Sequence, residues 1–422
     1  MIAEHEGRIL EACDALFPEV IDFTRAMIGQ YPVLHREQGV LNVVEERLAA
    51  LDLPPQKVSI DAERLGSHPL FAPVEWGYEN KYNLVSALNP GAPGRTLVLN
   101  GHLDVVPAEP FDMWRRPPPE PYEEDGWLFG RGAGDMQSGV AAMIYAVHAV
   151  RRAGFTIRSP LTVQAVVEEE CTGNGALACL DAGYGGDFVL IPEPFGPQIY
   201  AGQIGVLWFR ITCRGTPAHV LDTSAGANAI ERLQQIIPYL KALEDELNEH
   251  FREPPFDSMA HPFNLNIGGI AGGNWPSSVP AHAQLEGRIG FPPGMSASDI
   301  MQRVSDRVEQ AVRELPGLAA ERPTLRFHGF RSEGHLVDLG DPGIAMLSQC
   351  HFSLLDEEPG LHYATCTTDL RAFHFYRRIA GTCYGPVAQR IHGIDECVNL
   401  ESVRHTLKTY ALFIARWCEL GE

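Results

Sequence analysis

The sequence predicts an α/β protein in which a larger, doubly wound domain with a mixed sheet is interrupted by a smaller, ferredoxin-like α+β domain. Three observations lead to this prediction. Strand-like and helix-like segments alternate over residues 8–191, a β-α-β-β-α-β order follows, and His, Asp and Glu residues recur where predicted strands end. At 422 residues the chain is also too long for one ordinary core.

The larger domain begins with a predicted helix over residues 8–30, whose apolar side chains recur at helical spacing until Pro32. The alternation that follows is typical of a doubly wound sheet. Strands are predicted at 83–88, 95–100, 161–167 and 187–191, and helices at 38–51, 136–153 and 174–182. We expect Asp135 to cap the helix 136–153 and Gly139 to let that helix pack closely.

After Gly202 the pattern changes to that of a ferredoxin-like unit. Its predicted elements are strand 204–214, helix 225–248, strands 263–270 and 279–290, helix 297–314 and strand 323–329. His392 has to return to the same site as His102, so this unit is expected to be an insertion. The larger domain then comprises residues 1–203 and 331–422, and the inserted lid comprises residues 204–330.

Composition narrows the class of protein. The formal charge of −21 argues against nucleic acid or an anionic membrane as a partner, because both require a basic face. The N-terminal residues lack a basic segment followed by an apolar core, and no run of about 18 apolar residues is present. The nine cysteines include no Cys-x-x-Cys pair and are typical of reduced thiols. These features predict a cytoplasmic protein.

Five short segments each place a His, Asp or Glu beside a turn. They are GHLDVVP around His102, GRGAGDMQSG around Asp135, VVEEECTGNGA around Glu169, LIPEPFG around Glu193 and RIHGIDE around His392. One such segment alone is weak, since a run of glutamates is usually a solvated surface. Five of them, placed where open α/β sheets hold their sites, predict a centre for two metal ions with one spare carboxylate as a base.

The order and spacing of these segments resemble the dinuclear-zinc amidohydrolase and exopeptidase family that includes acetylornithine deacetylase, succinyl-diaminopimelate desuccinylase, aminoacylase and carboxypeptidase G. The resemblance covers nearly the whole chain from about Leu97. It implies two zinc ions per chain, with cobalt or manganese as alternatives. The implied ligands are His102 and Glu193 for one ion, Glu170 and His392 for the other, and Asp135 as the bridge between them.

The same resemblance assigns roles to neighbouring residues. It implies that Glu169 is the general acid and base for attack by a metal-bridging hydroxide. The family usually has Asp before the glutamate pair, so Glu168 is a departure that leaves the register of the run open. Asp104 lies two residues along the strand from His102, and its carboxylate is expected to accept the free imidazole N–H.

The inserted domain carries a segment similar to the family's Gly-x-x-Ala-His dimerisation motif, at Arg214-Gly-Thr-Pro-Ala-His219. The resemblance implies a homodimer formed through the lid. It also implies that His219 reaches into the active site of the partner subunit and stabilises the oxyanion.

Substrate contacts are predicted at four positions. Asn266 matches the family's lid asparagine, and Thr368 and Asp369 lie in a segment that resembles its small-Asp-x-Arg loop. The family's carboxylate-binding arginine falls at Gly290 here. Arg288 lies two residues earlier on the same face of the strand and is expected to serve instead.

The resulting hypothesis is a metal-dependent hydrolase that cleaves the amide bond of an N-acyl amino acid, close to the acetylornithine deacetylase branch. One alternative is a dipeptidase or carboxypeptidase, and another is a deformylase or carbamoyl hydrolase that acts on a small amide outside the amino acids. The metal ligands do not separate these, because specificity lies in the lid and rim. A binding module without activity would be expected to have lost Glu169 or a zinc ligand, and all are present.

Overall fold

A six-stranded mixed sheet forms the centre of the larger part of the chain in the computed structural model, which describes residues 2–421. In spatial order its strands are Gln56–Ser59, Tyr82–Leu88, Leu161–Val166, Leu97–His102, Phe188–Ile191 and Ala380–Cys383. The last four are parallel to one another, whereas Tyr82–Leu88 runs antiparallel to both strands that it pairs with. The predicted α/β fold with a mixed sheet is confirmed.

The parallel strands are buried along their whole length, which explains their continuous apolar sequences. Helices cover the sheet on both faces. On one face Gly101 lies against Val140 of a helix, and on the other Val166 clusters with Cys179 of a second helix. Helix Ser138–Arg152 packs against both Glu4–Ile28 and Leu400–Trp417.

The remaining elements of this part are short or peripheral. Its other helices are Gln38–Ala50, Ala62–Leu65, Asn174–Asp181, Pro342–Leu355 and Leu370–Arg377. Three small sheets complete this part. One consists of His335–Leu336, Ile199–Gln203 and Leu361–Ala364, and another of Ala388–Gln389, Cys397–Asn399, Trp127–Phe129 and Tyr122–Glu124. The third pairs Leu420–Gly421 with Thr156–Ile157. Within residues 2–421, no helix has both the length and the apolar character needed to cross a membrane.

Residues 205–332 form a separate antiparallel sheet with helices. In spatial order its strands are Leu265–Gly272, His282–Phe291, Gly205–Arg214 and Thr324–Ser332. Its helices are Ala229–Gln234, Ile237–His250, Ala297–Glu314 and Pro316–Ala320. In the order of the chain these elements make a β-α-β-β-α-β unit whose second, third, first and fourth strands are spatial neighbours, which is the ferredoxin-like arrangement.

The single helix predicted over 225–248 is wrong in one respect. The structure has two helices there, Ala229–Gln234 and Ile237–His250. Pro238 is the reason, because it has no N–H to donate to the carbonyl of Gln234.

Each part has its own apolar core. One buried cluster draws on residues 9–200 and 344–418, and the other on residues 204–318. The chain crosses between them twice, and the two crossings lie side by side: a Cβ atom on Gly334 would be 2.7 Å from the carbonyl oxygen of Gln203. We propose that the two cores correspond to the two domains predicted from the sequence, with limits near residues 203 and 331.

The close approach of Gly139 to the sheet gives a test of this packing. A Cβ atom on Gly139 would lie 2.8 Å from the Cβ of Pro192, beside Glu193. Gly139→Ala should therefore cost about 1–3 kcal/mol through overpacking and lower the melting temperature by roughly 2–8 °C in scanning calorimetry. Gly7→Ala is the matched control in the first helix, Glu4–Ile28, where no atom lies within 4 Å of the added Cβ. The control should keep or slightly raise the melting temperature; an equal fall in both variants would contradict the packing argument.

Candidate active site

The predicted metal ligands meet at one edge of the six-stranded sheet. His102 is the last residue of its strand, Glu193 follows the strand Phe188–Ile191, and Glu169 and Glu170 follow Leu161–Val166. Because these strands are parallel neighbours, their carboxyl ends lie side by side. The loop after Ala380–Cys383 brings His392 to the same edge.

Asp135 lies at the centre of this cluster. Its Oδ1 is 3.0 Å from Nε2 of His102, and its Oδ2 is 3.5 Å from Nε2 of His392. Nε2 of His392 is also 3.1 Å from Oε2 of Glu170, and Nε2 of His102 is 4.0 Å from Oε1 of Glu193. Ligand atoms of His102, Asp135 and Glu170 all lie within 4.8 Å of one another.

This donor set fits a pair of divalent metal ions. Two imidazole nitrogens face the two oxygens of one carboxylate, and each imidazole has a further glutamate beside it. Nitrogen and oxygen donors in this number are what paired zinc, cobalt or manganese ions use.

The cluster concentrates negative charge in a buried place. The carboxylate of Glu170 is the largest influence on His392 and raises its pKa to about 11. Burial disfavours the charged ring of His102, but the hydrogen bond to Asp135 and the charges of Glu169, Asp135 and Glu193 raise its pKa well above the usual value. Burial acts against the ionised form of Asp135, yet its hydrogen bonds with the two imidazoles lower its pKa.

The three consecutive glutamates have different surroundings. Glu168 is fully buried, and its side chain points away from the cluster. Its carboxylate accepts hydrogen bonds from Trp76 and Tyr78 and forms a salt bridge with Lys81. The carboxylate of Glu169 approaches His102, with 4.0 Å between Oε2 and Nε2. Glu170 lies against His392, so the last two members of the run face the cluster and the first does not.

Glu169 is held in an environment that favours its protonated form. It is only 6% exposed, and burial is the largest cause that raises its pKa well above the usual value. The charges of Asp369, Glu193 and Glu170 raise the pKa further, while His102 lowers it. A raised pKa is typical of a carboxyl group that takes up and releases a proton during catalysis.

Asp104 takes a position that differs from the expectation. Nδ1 of His102 is 2.9 Å from the backbone carbonyl oxygen of Asp104 and 3.8 Å from its carboxylate. The carbonyl therefore orients the imidazole. The carboxylate instead accepts the backbone N–H groups of Glu169 at 3.3 Å and Glu170 at 3.2 Å, and so ties the strand of His102 to the glutamate turn.

Asp135 is not a helix cap, contrary to the sequence prediction. The helix begins at Ser138, its N-cap position is Gln137, and no side chain caps it. Asp135 lies in a preceding turn with extended φ and ψ angles of −110° and 102°.

Glu396 and Arg131 organise that turn, and the sequence analysis missed both. One oxygen of Glu396 accepts backbone N–H groups of Gly132, Gly134 and Asp135 at 3.1, 2.9 and 3.0 Å, and its other oxygen pairs with the buried Arg131. Each of the two lies four residues from a predicted ligand, Arg131 before Asp135 and Glu396 after His392. Their place inside the quoted motifs was the available signal.

The predicted substrate residues of the inserted unit lie together. Asn266 and Arg288 are cross-strand partners and line a cavity of about 270 Å³ with Trp208 and His328. The guanidinium of Arg288 donates to the carbonyl of Thr365 at 3.2 Å. Position 290 has no space for an arginine in this arrangement, because a Cβ atom on Gly290 would be 2.6 Å from Cδ1 of Ile204.

Thr368 and Asp369 are both buried beside the cluster. The hydroxyl of Thr368 donates to Oε1 of Gln203 at 3.0 Å, so it holds the loop to the chain crossing. Neither carboxylate oxygen of Asp369 has a hydrogen-bond partner among residues 2–421, and burial raises its pKa to about 6.

His219 lies apart from these residues. It is exposed between the strand Gly205–Arg214 and the short turn Val220–Ala225, and its Nδ1 accepts the backbone N–H of Leu221 at 3.0 Å. Within residues 2–421 it forms no hydrogen bond or salt bridge with the metal-site residues of its own chain.

Known proteins with related sequences hydrolyse amides. The chain is 28% identical over 342 residues to N-formyl-4-amino-5-aminomethyl-2-methylpyrimidine deformylase of Bacillus subtilis. The match covers 76% of this chain and 79% of that protein. It is 25% identical to the deformylase of the same name from Halalkalibacterium halodurans, over 90% of this chain and 99% of that protein. It is 32% identical to acetylornithine deacetylase of Photorhabdus laumondii, over 56% of this chain and 60% of that protein.

Solved structures show the same fold at low sequence identity. The dipeptidase Dug1p of Saccharomyces cerevisiae matches with a TM-score of 0.80 at 16% identity, over 98% of this chain and 99% of that chain. Human carnosine dipeptidase 1 matches with a TM-score of 0.75 at 18% identity, over 97% of this chain and 98% of that chain.

A family model described as peptidase family M20/M25/M40 matches residues 98–416. This range contains all five ligand segments and the inserted unit. The match confirms the family resemblance seen in the sequence, and this protein therefore belongs to peptidase family M20/M25/M40 and is a hydrolase of that family.

Proposed function

We propose that the cluster binds two divalent metal ions, with zinc as the first candidate and cobalt or manganese as alternatives. His102 and Glu193 would hold one ion, Glu170 and His392 the other, and Asp135 both. The support is the placement of the two Asp135 oxygens against different imidazoles. When bound, such ions lower the pKa of water and polarise an amide carbonyl.

Glu169 acts as the general base and acid in this proposal. Its carboxylate lies beside the cluster without serving as one of the five ligands, and its raised pKa suits a group that takes a proton from the attacking water. The same carboxyl group then delivers the proton to the departing nitrogen. Asp104 fixes the direction of Glu169 through the backbone N–H that it accepts.

The substrate is an N-acyl amino acid, and Arg288 is the observation that supports this choice. Its guanidinium is partly buried, and within residues 2–421 no carboxylate forms an ion pair with it. A partly buried cation that lines a cavity beside Asn266 and has no carboxylate partner among these residues is suited to a ligand carboxylate. The hydrogen bond from Arg288 to Thr365 joins this cavity to the loop that carries Thr368 and Asp369 beside the cluster.

A second candidate is a deformylase that acts on an amide without an α-carboxylate. Two related proteins that match most of this chain bear the name of a pyrimidine deformylase. The glycine at position 290, where relatives by resemblance have an arginine, also agrees with a substrate of this kind.

A hydrolysis screen separates the two candidates. The metal-loaded protein should show its highest kcat/KM with N-acetyl, N-formyl or N-succinyl amino acids and lower values with dipeptides, their carboxamides and an N-formyl aminomethylpyrimidine. Arg288→Met should lower kcat/KM for the free acid by roughly 10- to 100-fold and leave the carboxamide unaffected, since a charge-assisted hydrogen bond is lost. Glu169→Gln should lose several orders of magnitude in turnover, and wild-type activity in this variant would contradict its role as the base. Preference for the formylated pyrimidine, with no effect of Arg288→Met, would favour the deformylase.

Metal content tests the ligand set directly. Wild-type protein should bind two metal ions per chain by elemental analysis, and Asp135→Asn should lose affinity for both, because it weakens the one carboxylate that both imidazoles face. Asp395→Asn is the control, since that nearby carboxylate serves Arg115 instead. Asp135→Asn protein that keeps two ions at wild-type affinity would contradict the bridging role.

The protein is also proposed to form a homodimer through the inserted unit. Large apolar side chains are exposed there, with Leu221 at 90%, Trp275 at 67% and Ile270 at 55%. Ile270 lies on Leu265–Gly272, which is an edge strand of its sheet and so has free backbone groups. Leu221 is two residues from His219, so a second copy that covers this surface would bring His219 near the interface.

Mixed mutants test whether His219 acts across that interface. His219→Ala and Glu169→Ala homodimers should each be inactive, whereas exchange of subunits should restore activity, because one site of the heterodimer then has both groups. Loss of an oxyanion donor typically costs about 10²–10³ in turnover, so the rescue should be well above background. Tagged chains that co-purify from a mixture that stays inactive would show that His219 does not serve the partner's site.

A further inference from the structure

Glu168 precedes the two glutamates of the site, yet its side chain leaves the cluster for a buried polar network. We propose that Lys81 and Glu168 form a positioning pair, which fixes the turn so that Glu169 points at the reaction site. The inference rests on the proposed role of Glu169 as the base. Lys81 and Glu168 touch no reacting atom, so they are positioning residues rather than catalytic ones.

Four donors converge on the Glu168 carboxylate. Lys81 Nζ and Trp76 Nε1 reach Oε1 at 2.6 and 2.8 Å, and the hydroxyls of Tyr78 and Thr172 reach Oε2 at 2.9 and 3.1 Å. Glu168 is 0% exposed and Lys81 is 8% exposed. A buried charge with this many partners has one favourable position, because leaving any of these groups unpaired is costly.

The backbone of the turn is held by the strand Tyr82–Leu88, which begins directly after Lys81. Glu168 has a φ angle of +67°, in the left-handed region that non-glycine residues seldom adopt. Asn83, two residues after Lys81, accepts the N–H of Val167 at 3.1 Å and donates to the carbonyl of Gly175 at 2.9 Å. Lys81 therefore holds the side chain of Glu168, while Asn83 holds the backbone before the turn at Val167 and after it at Gly175.

This fixation matters because Glu169 and Glu170 are adjacent carboxylates with different tasks. Glu169 approaches His102, and Glu170 contacts His392. A small rotation of the turn would move the base away from its place, and a displacement of about 1 Å can cost roughly 100-fold in rate. The salt bridge at Glu168 resists such a rotation from the side of the turn opposite the cluster.

The chain offers a matched pair of variants. Lys81 has a second carboxylate partner, Glu37, at 2.9 Å from Nζ. In Glu168→Gln, Lys81 keeps Glu37, and the amide retains the shape of the side chain, so the fold should survive. Glu37→Gln removes the other partner of the same lysine but leaves the tether to the turn intact.

Steady-state kinetics on the best substrate of the screen test the inference. Glu168→Gln should lower kcat by about 10- to 100-fold and also lower the melting temperature, because its amide N–H group faces hydrogen-bond donors, while KM and metal content stay near the wild-type values. Glu37→Gln should keep kcat within about twofold. Wild-type kcat in Glu168→Gln, an equal loss in Glu37→Gln, or loss of metal from Glu168→Gln would each overturn the positioning role.

A measurement without turnover keeps this inference separate from the proposed function. Crystal structures of wild type and Glu168→Gln should show the Glu169 carboxylate displaced or in several conformers in the variant alone. An unchanged Glu169 would overturn the inference even if the wild type hydrolysed amides. Wild-type protein that cleaves no amide would contradict the proposed function, and the structural comparison would still decide about Lys81 and Glu168.

Discussion

The structure depends on holding several carboxylates together where little water reaches them. Asp104, Asp135, Glu169 and Glu193 are all buried or nearly so at one sheet edge, and Glu170 adjoins them. Like charges at this distance repel strongly in a medium of low polarity. Two imidazoles and several backbone N–H groups balance part of this charge, while Lys81 and Arg131 neutralise the additional buried carboxylates of Glu168 and Glu396. Much of the surrounding architecture can be understood as support for that acidic centre.

Buried carboxylates also support this centre by accepting hydrogen bonds from the backbone of neighbouring segments. Asp104 accepts N–H groups from the glutamate turn, and Glu396 accepts them from the turn of Asp135. Each buried carboxylate thus fixes the backbone of a neighbouring segment as well as its own position. These hydrogen bonds restrain the backbone of the site without any ligand, and precise placement of reacting groups requires such restraint.

The sequence predicted the elements whose pattern is strong and local. The opening helix, the buried parallel strands and the β-α-β-β-α-β insertion were found within a few residues of their limits, because apolar periodicity and Gly or Pro boundaries mark them. The break near Pro238 was missed, since the apolar helical pattern continues through it. The turn of Asp135 was missed because an Asp directly before a helical pattern is typical of a cap. Contacts such as Glu396 with the Gly134 backbone join residues far apart in the chain, and no local spacing reveals them. The same holds for the choice between the carbonyl and the carboxylate of Asp104, which depends on the final strand geometry.

The two chain crossings at Gln203–Gly205 and Ser332–Gly334 have an evolutionary consequence. Because the inserted unit leaves and rejoins the larger part of the chain at one point, next to the small sheet of Ile199–Gln203 and His335–Leu336, its length and shape can change without altering the spacing between the strands that hold the acidic centre. Gln203 at that point bonds to Thr368, and Arg288 of the inserted unit bonds to Thr365, so a change in the insertion reaches the rim of the site through both contacts. A family built on this plan can exchange what it recognises while it keeps the same chemistry.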